Sequence, residues 1–134
     1  LLQSLPINAG VIDGDTPHQQ RDDIADECQI ILTKPDTLHA ALLPNWKKKQ
    51  SYQRLLSRVT TIVVDEGHVY DGAFGAHVSL VLARLKRVFR VASSPSNTGN
   101  NIAATITFIV CSATLLHPEA CFRQLCPVEE DEKV

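Results

Sequence analysis

Val59 to Val64 is an unbroken run of β-branched residues that ends in two acids, Asp65 and Glu66. Branching at Cβ stiffens χ1 and suits a pleated surface, so the run reads as a strand buried on both faces of a parallel sheet. Parallel strands cannot be joined by tight hairpins. The rest of the chain must therefore alternate strands with helical crossovers.

The flanking sequence has that alternation. Ile7 to Ile12 reads as a strand that runs into the turn formers Asp13-Gly14-Asp15-Thr16-Pro17. Thr16 is placed as a helix cap with Pro17 at the first helical position, opening a polar surface helix through Glu27. Gln29 to Thr33 reads as a second strand, which Pro35 ends while opening a helix through Leu38, Leu42 and Leu43. Pro44 to Ser57 suits an exposed connection ending in a short helix. After Gly72, the residues Phe74, Val78, Val81, Leu82, Leu85 and Phe89 fall on one helical stripe, with Arg84, Lys86, Arg87 and Arg90 on its wet face. Ala92 to Asn101 reads as a surface loop, Ile102 to Cys111 as another buried strand, and Pro118 to Leu125 as a last helix. The predicted fold class is α/β, a mainly parallel sheet with flanking helices.

Composition narrows the function. At 134 residues and 44% hydrophobic, the chain has material for one domain or a piece of one. A formal net charge of -2 supplies no global positive field, so any contact with a polyanion must be local. The apolar stretches fall short of the roughly 18 residues of a membrane span, and no membrane partner is expected. Cys28, Cys111, Cys121 and Cys126 form no Cys-x-x-Cys pair, and His18, His39, His77 and His117 show no ligand spacing. Idle or buried thiols are expected, in preference to a disulfide or a cysteine-bound metal. The chain opens on Leu1-Leu2-Gln3-Ser4, without a signal or an initiator methionine, which suggests a start inside a longer reading frame.

In open α/β sheets, ligands collect where loops leave the carboxyl ends of strands. Four such ends are polar here: Asp13 to Thr16, Thr33 to Asp36, Asp65 to His68, and Ser112 to Thr114. Adjacent carboxylates after a buried strand repel each other and lose hydration unless a cation or a substrate proton compensates. The plainer reading of Asp65-Glu66 is a solvated strand end. Lys47-Lys48-Lys49 beside Trp46 and Tyr52 suits either a strand-binding patch with stacking partners or, as charge runs more often do, a solvated loop.

Taken with its neighbours, Ile62-Val63-Val64-Asp65-Glu66-Gly67-His68 resembles the Walker B box of superfamily 2 helicases of the DEAD/DEAH group. Ser112-Ala113-Thr114 resembles the Ser-Ala-Thr box of the same enzymes. Asp13 to Pro17, Thr33 to His39 and His68 to Gly75 are similar to a subgroup related to the RecQ-like repair helicases. The resemblance implies that residues 1–127 form part of a first RecA-like P-loop NTPase domain, followed by an acidic tail over 128–134. It implies ATP and Mg²⁺ as cofactors, with Asp65 holding the metal through water and Glu66 orienting or deprotonating the water that attacks the γ-phosphate. His68 would link that site to the coupling residues Ser112 and Thr114. Gly14, Asp15, Thr16, Thr33, Lys34, Pro35 and Asp36 would touch the sugar-phosphate backbone of a nucleic acid, DNA by the subgroup, through hydroxyls and backbone N–H groups. A second RecA-like domain in cis is implied. So is an intracellular location, the nucleus in a eukaryote or the cytoplasm in a bacterium.

The pattern departs from the family in three places. Gly67 stands where Ala or Val is usual, freeing the backbone between the acids and His68. Lys34 stands where many relatives have Asn. The sequence contains no Gly-x-x-x-x-Gly-Lys-Ser/Thr loop, so nothing in it wraps the β- and γ-phosphates. An arginine finger alone contributes roughly 10³ to 10⁵ in rate, and this chain by itself is expected to have negligible ATPase activity. Missing strands are also expected to leave an uncovered apolar edge. Two other readings stand beside the helicase segment: an inactive truncated or decayed fragment that acts at most as a binding module, and an unrelated α/β binding domain in which Asp65 and Glu66 merely end a strand.

Overall fold

The computed structural model describes residues 7–93 and 105–128. The acidic residues from Glu129 onward and the centre of the Ser- and Asn-rich loop lie outside them. The chain divides into two compact units, Leu1–Leu56 and Ser57–Val134.

The first unit contains β1 (Ala9–Ile12), α1 (His18–Glu27) and β2 (Ile30–Thr33). The two strands pair in parallel, Ala9 opposite Ile30 and Val11 opposite Leu32. Partners in parallel register share a face, so Gly10 and Ile12 face one way and Ala9, Val11, Ile30 and Leu32 the other. Helix α1 covers the Gly10 face closely. A Cβ on Gly10 would come within 2.5 Å of Ile24 Cγ2 and 2.9 Å of Cys28 Sγ. The opposite face stays open, with Val11, Ile30 and Leu32 each about half exposed.

Thr16 does not cap α1. Pro17 sits at the N-cap with an extended ψ of 141° and no side-chain cap bond, because the Thr16 hydroxyl is spent inside the preceding loop. Helix α2 (Pro35–Thr37) begins at the proline, as expected, then widens into a π-helical turn, Leu38–Leu42, and continues as α3 (Leu43–Asn45). Pro44 lies just downstream, has no N–H, and in a regular helix would press on the carbonyl one turn back. The wider turn, closed by Leu43 N–H donating to the Leu38 carbonyl, accommodates it.

The segment read as an exposed connection is instead anchored. Helix α4 (Gln50–Arg58) buries Ser51, Tyr52, Leu55 and Leu56. Asp22 on α1 accepts from Lys49 Nζ at 3.0 Å and from Ser51 Oγ at 2.8 Å, and Asp26 accepts a two-pronged bond from Arg54 at 2.9 and 2.7 Å. The Ser51 hydroxyl, with Lys49 behind it, holds the Asp22 carboxyl below its ordinary pKa.

The second unit contains β3 (Thr61–Val64), a 3-10 turn (Gly67–Val69), α5 (Gly72–Ala92), β4 (Thr107–Val110) and α6 (Pro118–Leu125). Strands β3 and β4 pair in parallel, Val64 opposite Val110. Val64, Val78, Leu82, Leu125 and Cys126 form its buried core, with Ile62, Phe108 and Val110 packed against them. Burying each large aliphatic side chain contributes roughly 1.5–3 kcal/mol. Only one face of the strand pair gains it. Val63 remains 58% exposed and Ile109 is also open, which corrects the expectation of burial on both faces: among the described residues of this unit, no helix covers the second side.

The α5 stripe holds from Val78 through Phe89, but Phe74 at its start is half exposed and lies against the Tyr70 ring, centroids 5.5 Å apart. Lys86 is not on the wet face either, since its ammonium donates to the Pro127 carbonyl at 2.5 Å. Asp71 accepts from Gly72 N–H at 2.7 Å and caps the helix. All four cysteines are free thiols, and burial pushes Cys126 up to about 11. No helix among the described residues is long and apolar enough to cross a membrane.

Candidate active site

The acid box begins where β3 stops. Val64 is buried, and the chain then turns outward, leaving the Asp65 and Glu66 side chains open to solvent. The desolvation that adjacency alone suggested is therefore absent. Glu66 N–H donates to Asp65 Oδ1 at 2.9 Å, and Glu66 adopts the left-handed region at φ 52°, alone in this among the described non-glycine residues. Such a backbone costs on the order of 1–3 kcal/mol and clusters at functional sites.

Because β4 runs parallel beside β3, its carboxyl end delivers Ser112 to the same place. Pairing continues beyond the strands: Cys111 N–H donates to the Val64 carbonyl and Gly67 N–H to the Cys111 carbonyl, both at 2.8 Å. His68 N–H then donates to Ser112 Oγ at 3.0 Å. The imidazole Nδ1 lies 3.3 Å from Ser112 Oγ and 3.3 Å from Glu66 Oε2. Bearing a proton, Nδ1 donates toward the carboxylate; without one, it accepts from the serine hydroxyl. Thr114, two residues on, is exposed and makes no hydrogen bond to His68, so only the Ser112 half of the expected link is formed.

In the other unit, the loops after β1 and β2 sit side by side because those strands are neighbours. Asp13 organises the first loop. Its Oδ1 accepts from Asp15 N–H at 3.0 Å, from Thr16 N–H at 3.0 Å and from the Thr16 hydroxyl at 2.9 Å, and that hydroxyl also lies 3.1 Å from the Val11 carbonyl. The Thr16 hydroxyl is the main cause that holds the Asp13 carboxyl below its ordinary pKa, with burial opposing and the Asp15 and Thr16 N–H groups and Lys34 assisting. Those two N–H groups and that hydroxyl are thus already engaged. The backbone N–H of exposed Gly14 has no partner among the described residues.

Arg21, on the first turn of α1, was missed by sequence reasoning, which assigned that helix to the surface. It is 6% exposed. Its Nε donates to the Thr16 carbonyl at 2.8 Å and its Nη2 to the carbonyls of Asp13 at 2.6 Å and Gly14 at 3.2 Å. The signal was an arginine one turn past Asp-Gly-Asp-Thr-Pro, within reach of the loop it follows. In the second loop, Thr33, Lys34 and Asp36 are exposed, Lys34 is the N-cap of α2 and Pro35 its first residue.

The lysine run divides. Lys49 is paired with Asp22 and lies over the Tyr52 ring, and Tyr52 is only 2% exposed, so it offers no face to a base. Lys47 lies over the Trp46 ring at 5.4 Å, and Lys48 is exposed.

The profile of DEAD/DEAH box helicases matches residues 2–120. The chain belongs to the DEAD/DEAH box helicase family. It is 37% identical over 112 residues to the ATP-dependent helicase hrq1 of Schizosaccharomyces pombe, covering 84% of this chain and 9% of that protein. Its fold is similar to helicase MrfA bound to DNA, at TM-score 0.76 and 34% identity over 91% of this chain and 15% of that one. A structure of MrfA with DNA and AMPPNP gives a TM-score of 0.75 at 35% identity, covering 90% and 15%. The α/β fold of parallel strands and flanking helices is thus that of a RecA-like helicase domain, of which this chain is part. It spans about a tenth of the length of its curated helicase relatives.

For such a helicase, the implied magnesium can be tested against the donors present. No cluster of three or more His, Cys, Asp or Glu suited to a metal occurs among the described residues. Magnesium commonly uses one or two carboxylates and completes its shell with water and phosphate oxygens. Two adjacent, solvent-open carboxylates fit that habit.

Proposed function

We propose that this chain is the portion of an ATP-dependent DNA helicase that carries its water-activating acids and strand-contacting loops, coupling Mg-ATP hydrolysis to translocation or unwinding in the complete protein. The observation that supports this best is the junction of the two boxes, where His68 reaches both Glu66 and Ser112. Hydrolysis and motion must communicate, and a side chain shared by the acid box and the neighbouring strand end provides a route. Asp65 is the residue suited to hold magnesium through water, and Glu66 the one suited to orient the attacking water. The metal, when bound, neutralises charge on the triphosphate.

DNA is the proposed partner because the related MrfA structures contain it. Gly14, Asp15, Thr16 and Thr33 to Asp36 are the proposed contacts. Gly14 N–H and Lys34 carry the attraction, since the N–H groups of Asp15 and Thr16 are already bonded to Asp13. Such backbone contacts bind without reading sequence. The reading includes a second RecA-like domain in cis and an intracellular site of action, in the nucleus of a eukaryote or the cytoplasm of a bacterium.

The test uses the full-length protein. Glu66→Gln is expected to abolish ATP hydrolysis while nucleotide binding persists. Wild-type turnover in that variant overturns the proposal, and a wild-type protein without DNA-stimulated hydrolysis favours the inactive binding fragment.

A further inference from the structure

We propose that Gly67 and Val110 form a positioning pair: the missing side chain at 67 and the branched one at 110 together set the spacing between the acid box and the Ser-Ala-Thr box. The inference rests on the hydrolytic reading of Asp65 and Glu66.

Gly67 is buried, and a Cβ placed on it would overlap Val110 Cγ1 while lying 3.5 Å from the Cys111 carbonyl oxygen and 3.7 Å from Ser112 Cβ. The cause is steric and not conformational. Among the described residues only Glu66 and Gly72 have positive φ, so the Gly67 backbone is one that any residue adopts. This corrects the view that glycine is there for backbone freedom.

Val110 cannot yield cheaply. Its χ1 is stiff, and it packs against the core formed by Val64, Val78 and Leu82. A methyl group at 67 must therefore push its own backbone away from β4. The bonds in its path are Gly67 N–H to the Cys111 carbonyl at 2.8 Å and His68 N–H to Ser112 Oγ at 3.0 Å. Losing them separates His68 from Ser112 and shifts Glu66, the residue immediately before. The volume at 67 and the volume at 110 are thus one shared quantity, and the gap between the boxes follows from their sum.

The test is a double-mutant cycle in the full-length protein, reading steady-state ATP hydrolysis with DNA present. Gly67→Ala is expected to lower kcat about tenfold or more while KM for ATP changes less than about twofold, because the loss falls on the reacting geometry. Gly67→Ala combined with Val110→Ala is expected to recover most of the lost kcat, since the overlapping methyl is gone; Val110→Ala supplies the remaining corner. A Gly67→Ala enzyme with wild-type kcat overturns the proposal. So does a double variant that regains the thermal stability of the parent without regaining turnover. If Gly67→Ala fails to fold, the double variant decides alone: restored folding with restored turnover supports the pair, and restored folding without turnover sinks it. Glu66→Gln run alongside separates the two claims, because an active Glu66→Gln enzyme removes the hydrolytic reading itself, whereas an inactive one with a fully active Gly67→Ala removes only the pair.

Discussion

The backbone N–H of His68 donates to the side-chain oxygen of Ser112 across 44 residues of sequence, so two neighbouring strand ends share a single hydroxyl. That oxygen accepts from the backbone and faces the imidazole Nδ1 at 3.3 Å.

Ser112→Ala removes both interactions and leaves the histidine with Glu66 alone. Because the acids stay in place, unwinding is expected to fall further than hydrolysis, by about tenfold, or roughly 1.4 kcal/mol, the order of one hydrogen bond. Parallel assays of strand separation and phosphate release on the complete helicase check this. An equal fall in both rates would remove Ser112 from coupling.

Arg21 grips the loop after β1, the first of the two proposed to meet DNA, through three carbonyls. Arg21→Ala leaves them without their donor and is expected to cost about 2–4 kcal/mol in stability and to weaken DNA binding about tenfold. Arg21→Lys keeps the charge but not the fork, so it recovers stability only in part. Thermal melts and DNA titrations decide. Wild-type affinity in folded Arg21→Ala would mean that the loop keeps its shape unaided.

Asp13 links that loop to pH. Its folded-state pKa is depressed, so the stabilisation is present above the unfolded carboxyl value and is lost as pH falls through the lower folded value. Thr16→Val deletes the hydroxyl that contributes most to the shift and should raise the Asp13 pKa toward an ordinary carboxyl. An NMR titration of the Asp13 side chain measures it directly. An unchanged titration in Thr16→Val would assign the shift elsewhere.

Much of this was legible in the sequence because it depends on neighbours along the chain. The β-branched run before Asp65, the proline that opens α2 and the Val78-to-Phe89 stripe are local patterns, and they appear where those patterns place them. What escaped depends on distant partners. Lys49 looked like part of a solvated run until α1 brought Asp22 to it, and Tyr52 looked available for stacking until α4 turned it inward. Arg21 carries a charge that reads as surface, yet loop carbonyls solvate it in place of water. The need for glycine at 67 is visible only once β3 and β4 are in register and Val110 stands opposite. At the site itself, residue types were readable and their engagement was not, as the occupied hydroxyl of Thr16 and the Thr114 that meets no partner among the described residues illustrate.

Glu66 holds its left-handed backbone where glycine or asparagine would rest without effort. Selection for durability alone would discard the carboxylate at this corner. Under the proposed hydrolysis that carboxylate orients the water, so the polypeptide is kept tense here for the sake of reach, a small reserve of instability set beside the group that the proposal needs.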